Sequence, residues 1–250
     1  MLTNERFELI LNKLATHKTV KITELIEATD ASESTIRRDL TELETLNKLQ
    51  RIHGGATLPD RDMQELSISA KSEKYFSEKV KVASLAASIV KEGDFIYLDA
   101  GTTTFQMIPF LKDRNITVVT NGLTHVESLT EQGISSYLIG GYVKATTGAL
   151  VGQQARNSLK QYHFNKCFLG TNGVDPVHGY TTPDPDEATV KSLAAEQSRT
   201  TYIVADHSKV KKSSFIKFLS IEEAVLLIDE LPDDILHELE EKTLVKVVQK

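Results

Sequence analysis

The residues best suited to chemistry lie in short runs of glycine and small polar side chains that recur along the chain. Asp99-Ala100-Gly101-Thr102-Thr103-Thr104 combines a glycine, which permits a sharp turn and close backbone approach, with three threonine hydroxyls. If a helix starts there, its free N–H groups and positive end face the same point, and the run becomes a cradle for phosphate. The plainer alternative is a strand-to-helix turn capped by Thr102. Asn121-Gly122, Gly140-Gly141 and Thr171-Asn172-Gly173 repeat this composition after other apolar runs, and together they point to a ligand crevice. Further on, Glu187 and Lys191 share a helical face. They form either an ion pair worth roughly a few tenths of a kcal/mol, or a pair in which Glu187 accepts from ligand hydroxyls while Lys191 meets a phosphate. Lys209, in Ala205-Asp206-His207-Ser208-Lys209, offers a second cation.

A different chemistry is concentrated near the N-terminus. Ser32, Ser34, Thr35, Arg37 and Arg38 fall in the first two turns of one amphipathic segment. Hydroxyls and guanidinium forks so placed suit base edges and phosphates when the helix lies in the major groove. On a merely solvated face, Ser32 would cap the helix and the arginines would pair with Glu33, Asp39 or Glu42. The segment downstream favours DNA: Leu49 to Ala56 reads as a short strand turning on Gly54-Gly55, where a winged helix carries its β-wing, with Arg51 and His53 able to reach the backbone or minor groove. Thr23 reads as the N-cap of the preceding helix and joins the candidate DNA contacts.

These residues need elements to hold them. Phe7, Ile10, Leu11 and Leu14 recur at helical spacing; a short apolar stretch at Val20 and Ile22 comes next; a second helix then runs to about Thr29. A third carries the stripe Ile36, Leu40, Leu43 and Leu46, so residues 1–57 read as a winged helix-turn-helix. Residues 58–74 are polar, contain Pro59 and read as a connector through which a ligand acts on the DNA-binding unit. From 75 to 250 helices at Val80–Lys91, Thr103–Leu111, Leu123–Glu131 and Asp186–Ser198 alternate with short strands. The strands are Phe95–Leu98, Ile116–Val119, Tyr137–Ile139, Lys166–Leu169, Tyr202–Ala205 and Val225–Ile228. That alternation predicts an α/β, Rossmann-like domain with a largely parallel sheet, whose ligands gather at the carboxyl ends of the strands.

Bulk composition sets limits. The 250 residues are 40% hydrophobic and 26% charged, which suits a globular chain and neither a disordered nor a fibrous one. The net charge of −6 provides no general nucleic-acid footprint, so the DNA reading rests on local arrangement. No apolar run is long enough to span a bilayer and the start lacks a signal-peptide core; the expected location is cytoplasmic, with no membrane partner. The single cysteine, Cys167, sits in an apolar stretch and reads as a buried thiol. None of the seven histidines has zinc spacing with another ligand, so neither a metal nor a cofactor is implied.

The run from Arg6 through Ser32-x-x-Thr35-Ile36-Arg37-Arg38-Asp39-Leu40 to Arg51-Ile52-His53-Gly54-Gly55-Ala56 resembles the DNA-binding signature of the DeoR family of bacterial sugar-metabolism regulators. The strand-end motifs resemble that family's effector domain, similar in fold to sugar-phosphate isomerases. The resemblance implies a repressor that binds operator double-stranded DNA under control of a phosphorylated sugar; the wording is closest to fructose-operon repressors, which implies fructose 1-phosphate. One helix-turn-helix reads few base pairs, so a homodimer or homotetramer is expected. The competing class is an isomerase or deaminase with an appended DNA module, with Glu187 as its base. Related isomerases carry an aspartate pair near the position of Asn172, which cannot act as a base, so binding without catalysis is expected.

Overall fold

Helical periodicity near the N-terminus produces a small core of its own. The computed structural model describes residues 2–46, 48–52, 54–57 and 67–248. The chain divides into two compact units between Gln64 and Glu65. In the first, α1 (Thr3–His17), α2 (Ile22–Thr29) and α3 (Glu33–Thr45) enclose Ile10, Leu14, Leu25, Ile36, Leu40 and Leu43. β1 (Thr19–Lys21), β2 (Gln50–Ile52) and β3 (Gly55–Thr57) form an antiparallel sheet in the order β1-β3-β2. The wing turns at Gly54, whose φ of +83° is a conformation that L side chains rarely adopt. Gly55 is equally constrained, since a Cβ there would meet the Val20 carbonyl oxygen at 2.2 Å. Arg6 of α1 grips Asp39 of α3 with two bonds, Nε to Oδ2 at 2.7 Å and Nη2 to Oδ1 at 3.1 Å.

Two sequence expectations fail here. Leu46 caps α3 and is 56% exposed, because the helix ends before the stripe can continue. Thr23 is not an N-cap: Lys21 takes that position two residues earlier, and α2 begins at Ile22, which is drawn into the core and leaves Thr23 exposed inside the helix.

The second unit opens with α4 (Ile68–Glu73) and α5 (Phe76–Ser88). Then come β4 (Phe95–Leu98), the single turn α6 (Thr102–Phe105), β5 (Thr117–Thr120), α7 (Leu123–Glu131) and β6 (Ser135–Leu138). A hairpin of β7 (Tyr142–Lys144) and β8 (Ala149–Val151) leads to α8 (Gly152–Leu159), β9 (Phe164–Gly170), β10 (Gly173–Asp175), β11 (Gly179–Thr182) and α9 (Pro185–Glu196). β12 (Ser198–Ala205), β13 (Ile216–Leu219), β14 (Val225–Ile228), α10 (Asp233–Glu240) and β15 (Val245–Val247) complete it. The main sheet is parallel throughout, in the order β15-β14-β12-β9-β4-β5-β6. One face is covered by a core around Tyr97, Leu169 and Ile203, the other by a core around Ile96, Leu98 and Phe168. The alternation of these side chains along β4 and β9 explains why both faces are buried.

The polar stretch expected to be a connector ends inside this unit: α4, capped by Ser67, belongs to it and bonds the β7–β8 turn through Ile68 N to Thr146 O at 3.0 Å. Residues 58–66 lie outside the described residues. The helix expected over Thr103–Leu111 is broken into α6 and a 3-10 turn at Ile108–Leu111, where Pro109 removes a backbone donor.

Leu40 is fully buried in the first core. Leu40→Ala should cost ~2–5 kcal/mol in the stability of the N-terminal unit. Urea unfolding of the variant checks this; a cost below ~1 kcal/mol would show that α3 is not held by this core.

Candidate functional site

Strand order determines where a ligand can sit. The chain runs from β4 outward to β5 and β6, then returns to place β9 on the other side of β4. That reversal makes the β4–β9 boundary the switch point at which α/β sheets open a crevice. The loop after β4 and the loop after β9 meet there: the Cβ of a residue replacing Gly101 would stand 3.8 Å from the Cα of Gly170.

At this point Asp99 is 4% exposed and Lys191 5% exposed. Lys191 Nζ donates to Asp99 Oδ2 and, at 3.0 Å, to the Gly170 carbonyl. Asp99 Oδ2 also accepts from Gly170 N at 3.0 Å. Lys191 is thus bonded to a carboxylate and a carbonyl of this turn. Glu187 is not its partner: Glu187 Oε1 accepts from Thr147 Oγ1 at 2.8 Å and Lys144 Nζ at 3.1 Å. Lys144 also pairs with Asp184 Oδ2 at 2.8 Å. Lys144 and Thr147 escape sequence reasoning because they lie in a short hairpin with no motif, 43 and 40 residues from Glu187; the one available signal was the glycine-flanked turn.

The other strand-end residues divide by what already holds them. Thr104 Oγ1 is fully engaged, its single hydrogen shared between Asp99 O at 2.5 Å and Gly101 O at 2.8 Å while it accepts from Gly101 N at 3.0 Å. Asn121 ties two loops, accepting from Ala100 N at 3.0 Å and donating to Leu150 O at 3.3 Å. Gly122 makes room for His125: a Cβ there would fall 2.4 Å from its Nδ1. Gly141, at φ +147°, lets Val151 and Ala155 approach, whereas Gly140 faces open space. Thr171 Oγ1 donates to Thr181 O at 3.0 Å, and Gly173 passes too close to Lys212 O for any side chain. Asn172 Oδ1 accepts from Thr182 Oγ1 at 3.4 Å. Among the described residues, Thr102 and Thr103 have no side-chain bond, and the first N–H groups of α6 lack intrahelical acceptors. Lys209 is half-buried, and burial together with Lys71, Lys212 and Lys74 lowers its proton affinity against the pull of Asp206.

Burial also governs the remaining titratable groups. His125 is fully buried behind Thr104, its Nε2 3.3 Å from Thr104 Oγ1, and its pKa is pushed down to about 4. Burial raises the Cys167 thiol to about 11, which leaves it protonated and unreactive. Histidine spacing hid one grouping: His207, Asp229 and Glu230 bring ligand atoms within 4.8 Å of one another. His207 Nδ1 is already bonded to Asp229 Oδ2 at 2.6 Å, which raises its pKa.

In the first unit several of the expected DNA contacts lie on α3 or against it. Ser32 caps α3, accepting from Thr35 N at 3.3 Å, with Ser34 Oγ 2.9 Å away. Ser34, Arg37 and Arg38 are exposed. Arg37 pairs with Glu33 at 2.6 Å on the open surface, as the plainer reading allowed, while Arg38 has no ion pair among the described residues. Arg51 folds back from the wing to α3, with Nη1 2.7 Å from Thr41 Oγ1. His53 lies outside the described residues.

His125 yields a pH test. An unfolded histidine titrates near 6.5 and the folded one near 4, so between those values the unfolded state binds more protons and stability rises with pH. Unfolding free energy should therefore fall by up to ~3 kcal/mol as pH drops through this window. His125→Gln should flatten that slope in denaturant titrations; an unchanged slope would show that His125 is not held neutral.

Comparison with known proteins agrees with this two-unit arrangement. Residues 6–67 match the DeoR-like helix-turn-helix domain and residues 74–230 the DeoR C terminal sensor domain. Over 250 residues the chain is 48% identical to the HTH-type transcriptional regulator FruR of Bacillus subtilis, covering 100% of both chains. It is 33% identical over 235 residues to the HTH-type transcriptional repressor GlcR of the same organism, covering 93% of this chain and 91% of that one. It is 32% identical over 238 residues to a lactose phosphotransferase system repressor of Streptococcus mutans, covering 94% of each. With both family domains matched in order and a relative similar from end to end, the chain belongs to the DeoR family.

Proposed function

We propose that the protein is a transcriptional repressor of a sugar-utilisation operon, binding operator DNA through α3 and the wing under control of a phosphorylated sugar held at the β4–β9 crevice. The observation that carries the DNA half is the α3 surface, where Ser34, Arg37 and Arg38 project outward beside Arg51 of the wing. Arg37 gives up little on meeting a phosphate, because an exposed i, i+4 ion pair contributes only about 0.3–0.5 kcal/mol. Names of relatives point the same way: two are repressors, one of a lactose phosphotransferase system. We assign Ser32, Ser34, Thr35, Arg37, Arg38, Arg51, Gly54, His53 and Thr23 to the operator contact, and a homodimer or homotetramer to place two such heads on paired half-sites. The protein then works where the DNA is, in the cytoplasm, and no helix among the described residues is long and apolar enough to cross a membrane.

The sugar is bound without turnover. Proton transfer between sugar carbons needs a carboxylate free to act as base. Asp99 is held by Lys191, Glu187 by Lys144 and Thr147, and Asn172 cannot serve. Fructose 1-phosphate is the first effector to examine, with Thr102, Thr103, Gly101, Gly122, Gly140, Gly141 and Asn172 lining its place and Lys209 at its edge.

Each phosphate contact contributes roughly one unit to the slope of log affinity against log salt. Arg37→Ala and Arg38→Ala should each weaken operator binding and lower that slope by about one, measured by fluorescence anisotropy. Unchanged slopes in both variants would remove these residues from the interface. A thermal-shift panel of sugar phosphates should show a ligand that raises the melting temperature, since a compound binding only the native state stabilises by mass action. The same ligand should change operator affinity. Saturable isomerisation of that ligand, abolished by Glu187→Gln, would instead make the protein an enzyme.

A further inference from the structure

Two neighbouring strands of the parallel sheet end side by side at a place that the β4–β9 crevice does not use. Ala205 of β12 stands opposite Ile228 of β14, so the residues that follow the two strands emerge together. His207 comes from the first, Asp229 and Glu230 from the second, and their ligand atoms lie within 4.8 Å of one another. His207 Nδ1 is 2.6 Å from Asp229 Oδ2 and 3.7 Å from Glu230 Oε1.

Charge sets this group apart from an ordinary cluster of surface acids. The Asp229 side chain is 5% exposed, and burying a carboxylate is costly unless its charge is answered. Among the described residues, His207 is the single basic group at ion-pair distance from either Asp229 or Glu230, so one imidazole faces two carboxylates. Two lysines, Lys81 and Lys211, line the same cleft, but neither makes an ion pair with these acids, and Lys211 pairs with Asp234 at 3.5 Å. The site lacks positive charge.

Its geometry suits a cation. Donors about 2.1 Å from a tetrahedral ion stand about 3.4 Å apart, so the Nδ1–Oε1 distance is within a few tenths of an ångström, and the Nδ1–Oδ2 pair opens by about 0.8 Å when a cation replaces the proton between them. Asp229 Oδ1 accepts from His207 N at 2.6 Å, which fixes the carboxylate while Oδ2 faces the ring. Tyr75 meets that ring edge-on, with centroids 5.1 Å apart, and limits its rotation. All three donors line a cleft of about 830 Å³, which gives an ion a way in and room for water.

We infer that His207, Asp229 and Glu230 form a binding site for a divalent cation of the zinc class, with water from the cleft completing its shell. An imidazole nitrogen beside two carboxylates favours such an ion over magnesium or calcium, which take oxygen shells. The ion supplies the missing charge and ties the ends of β12 and β14 together. Operator and effector binding play no part in this inference.

The full-length chain, stripped with a chelator and desalted, is titrated calorimetrically with zinc chloride and with magnesium chloride, and its melting temperature is followed. Zinc should bind with one equivalent per chain and raise the melting temperature, because an ion that binds only the native state stabilises it by mass action. Magnesium should do neither. His207→Gln and Glu230→Gln should each weaken zinc binding ~10-fold or more, about 1.4 kcal/mol. His178→Gln removes the histidine of an exposed pair with Asp175 at 2.8 Å and should leave zinc affinity unchanged. Glu230 is exposed, so Glu230→Gln decides alone if His207→Gln does not fold. No zinc binding to wild type, undiminished binding in Glu230→Gln, an equal loss in His178→Gln, or magnesium binding as tight as zinc would each overturn the site.

Discussion

The buried pair of Asp99 and Lys191 is the interaction on which the geometry of the sensor domain turns. It joins the end of β4 to α9, 92 residues away, and Gly170 completes it by donating its N–H to the carboxylate and lending its carbonyl to the ammonium. Two charges out of water are costly unless they meet each other and fill their remaining hydrogen bonds. Here both conditions hold, and they hold only when β4, β9 and α9 are in register. Removing either partner would leave an uncompensated buried charge, so the pair enforces one arrangement of the switch point more than it adds stability.

Once that pair is made, the rest of the crevice falls into place. α9 carries Glu187 one turn before Lys191, so fixing the helix brings Glu187 to the β7–β8 hairpin, where Lys144 and Thr147 receive it. Thr104 and Asn121 are used in the same way, knitting the β4 and β5 loops to each other and to β8. His125 closes the back of the site as a neutral ring, which avoids placing a further cation beside the Asp99–Lys191 pair. The crevice is thus a frame whose polar groups mostly bind one another.

The sequence showed the frame better than the contacts within it. Phe95–Leu98 and Val225–Ile228 are legible as strands because continuous β-branched and aromatic runs are what a sheet buried on both faces requires. The glycine-rich strand ends were legible for a local reason too, since turn chemistry is written in adjacent residues. Which lysine answers which carboxylate was not. Asp99 with Lys191 and Lys144 with Glu187 are tertiary choices, and the nearer pair Glu187–Lys191 lost because each side chain had a better-placed partner on another element. Lys79 carries no local mark at all: it looks like a surface lysine of α5 until β12 and α4 cover it. The small sheet β10-β11-β13 was missed because its strands of three or four residues fall below the length at which alternation is visible.

A chain with a net charge of −6 suits a regulated DNA binder better than a strongly basic one would. Phosphate contacts that come from many scattered lysines hold all DNA alike and are insensitive to a modest signal. Under the proposed function the contacts come from a few arginines on α3 and the wing, which would keep non-specific binding weak, so that a change of about 1–3 kcal/mol, typical of coupling between distant sites, would decide occupancy of the operator. Such a change must come from a sensor that differs in free energy between its empty and filled states.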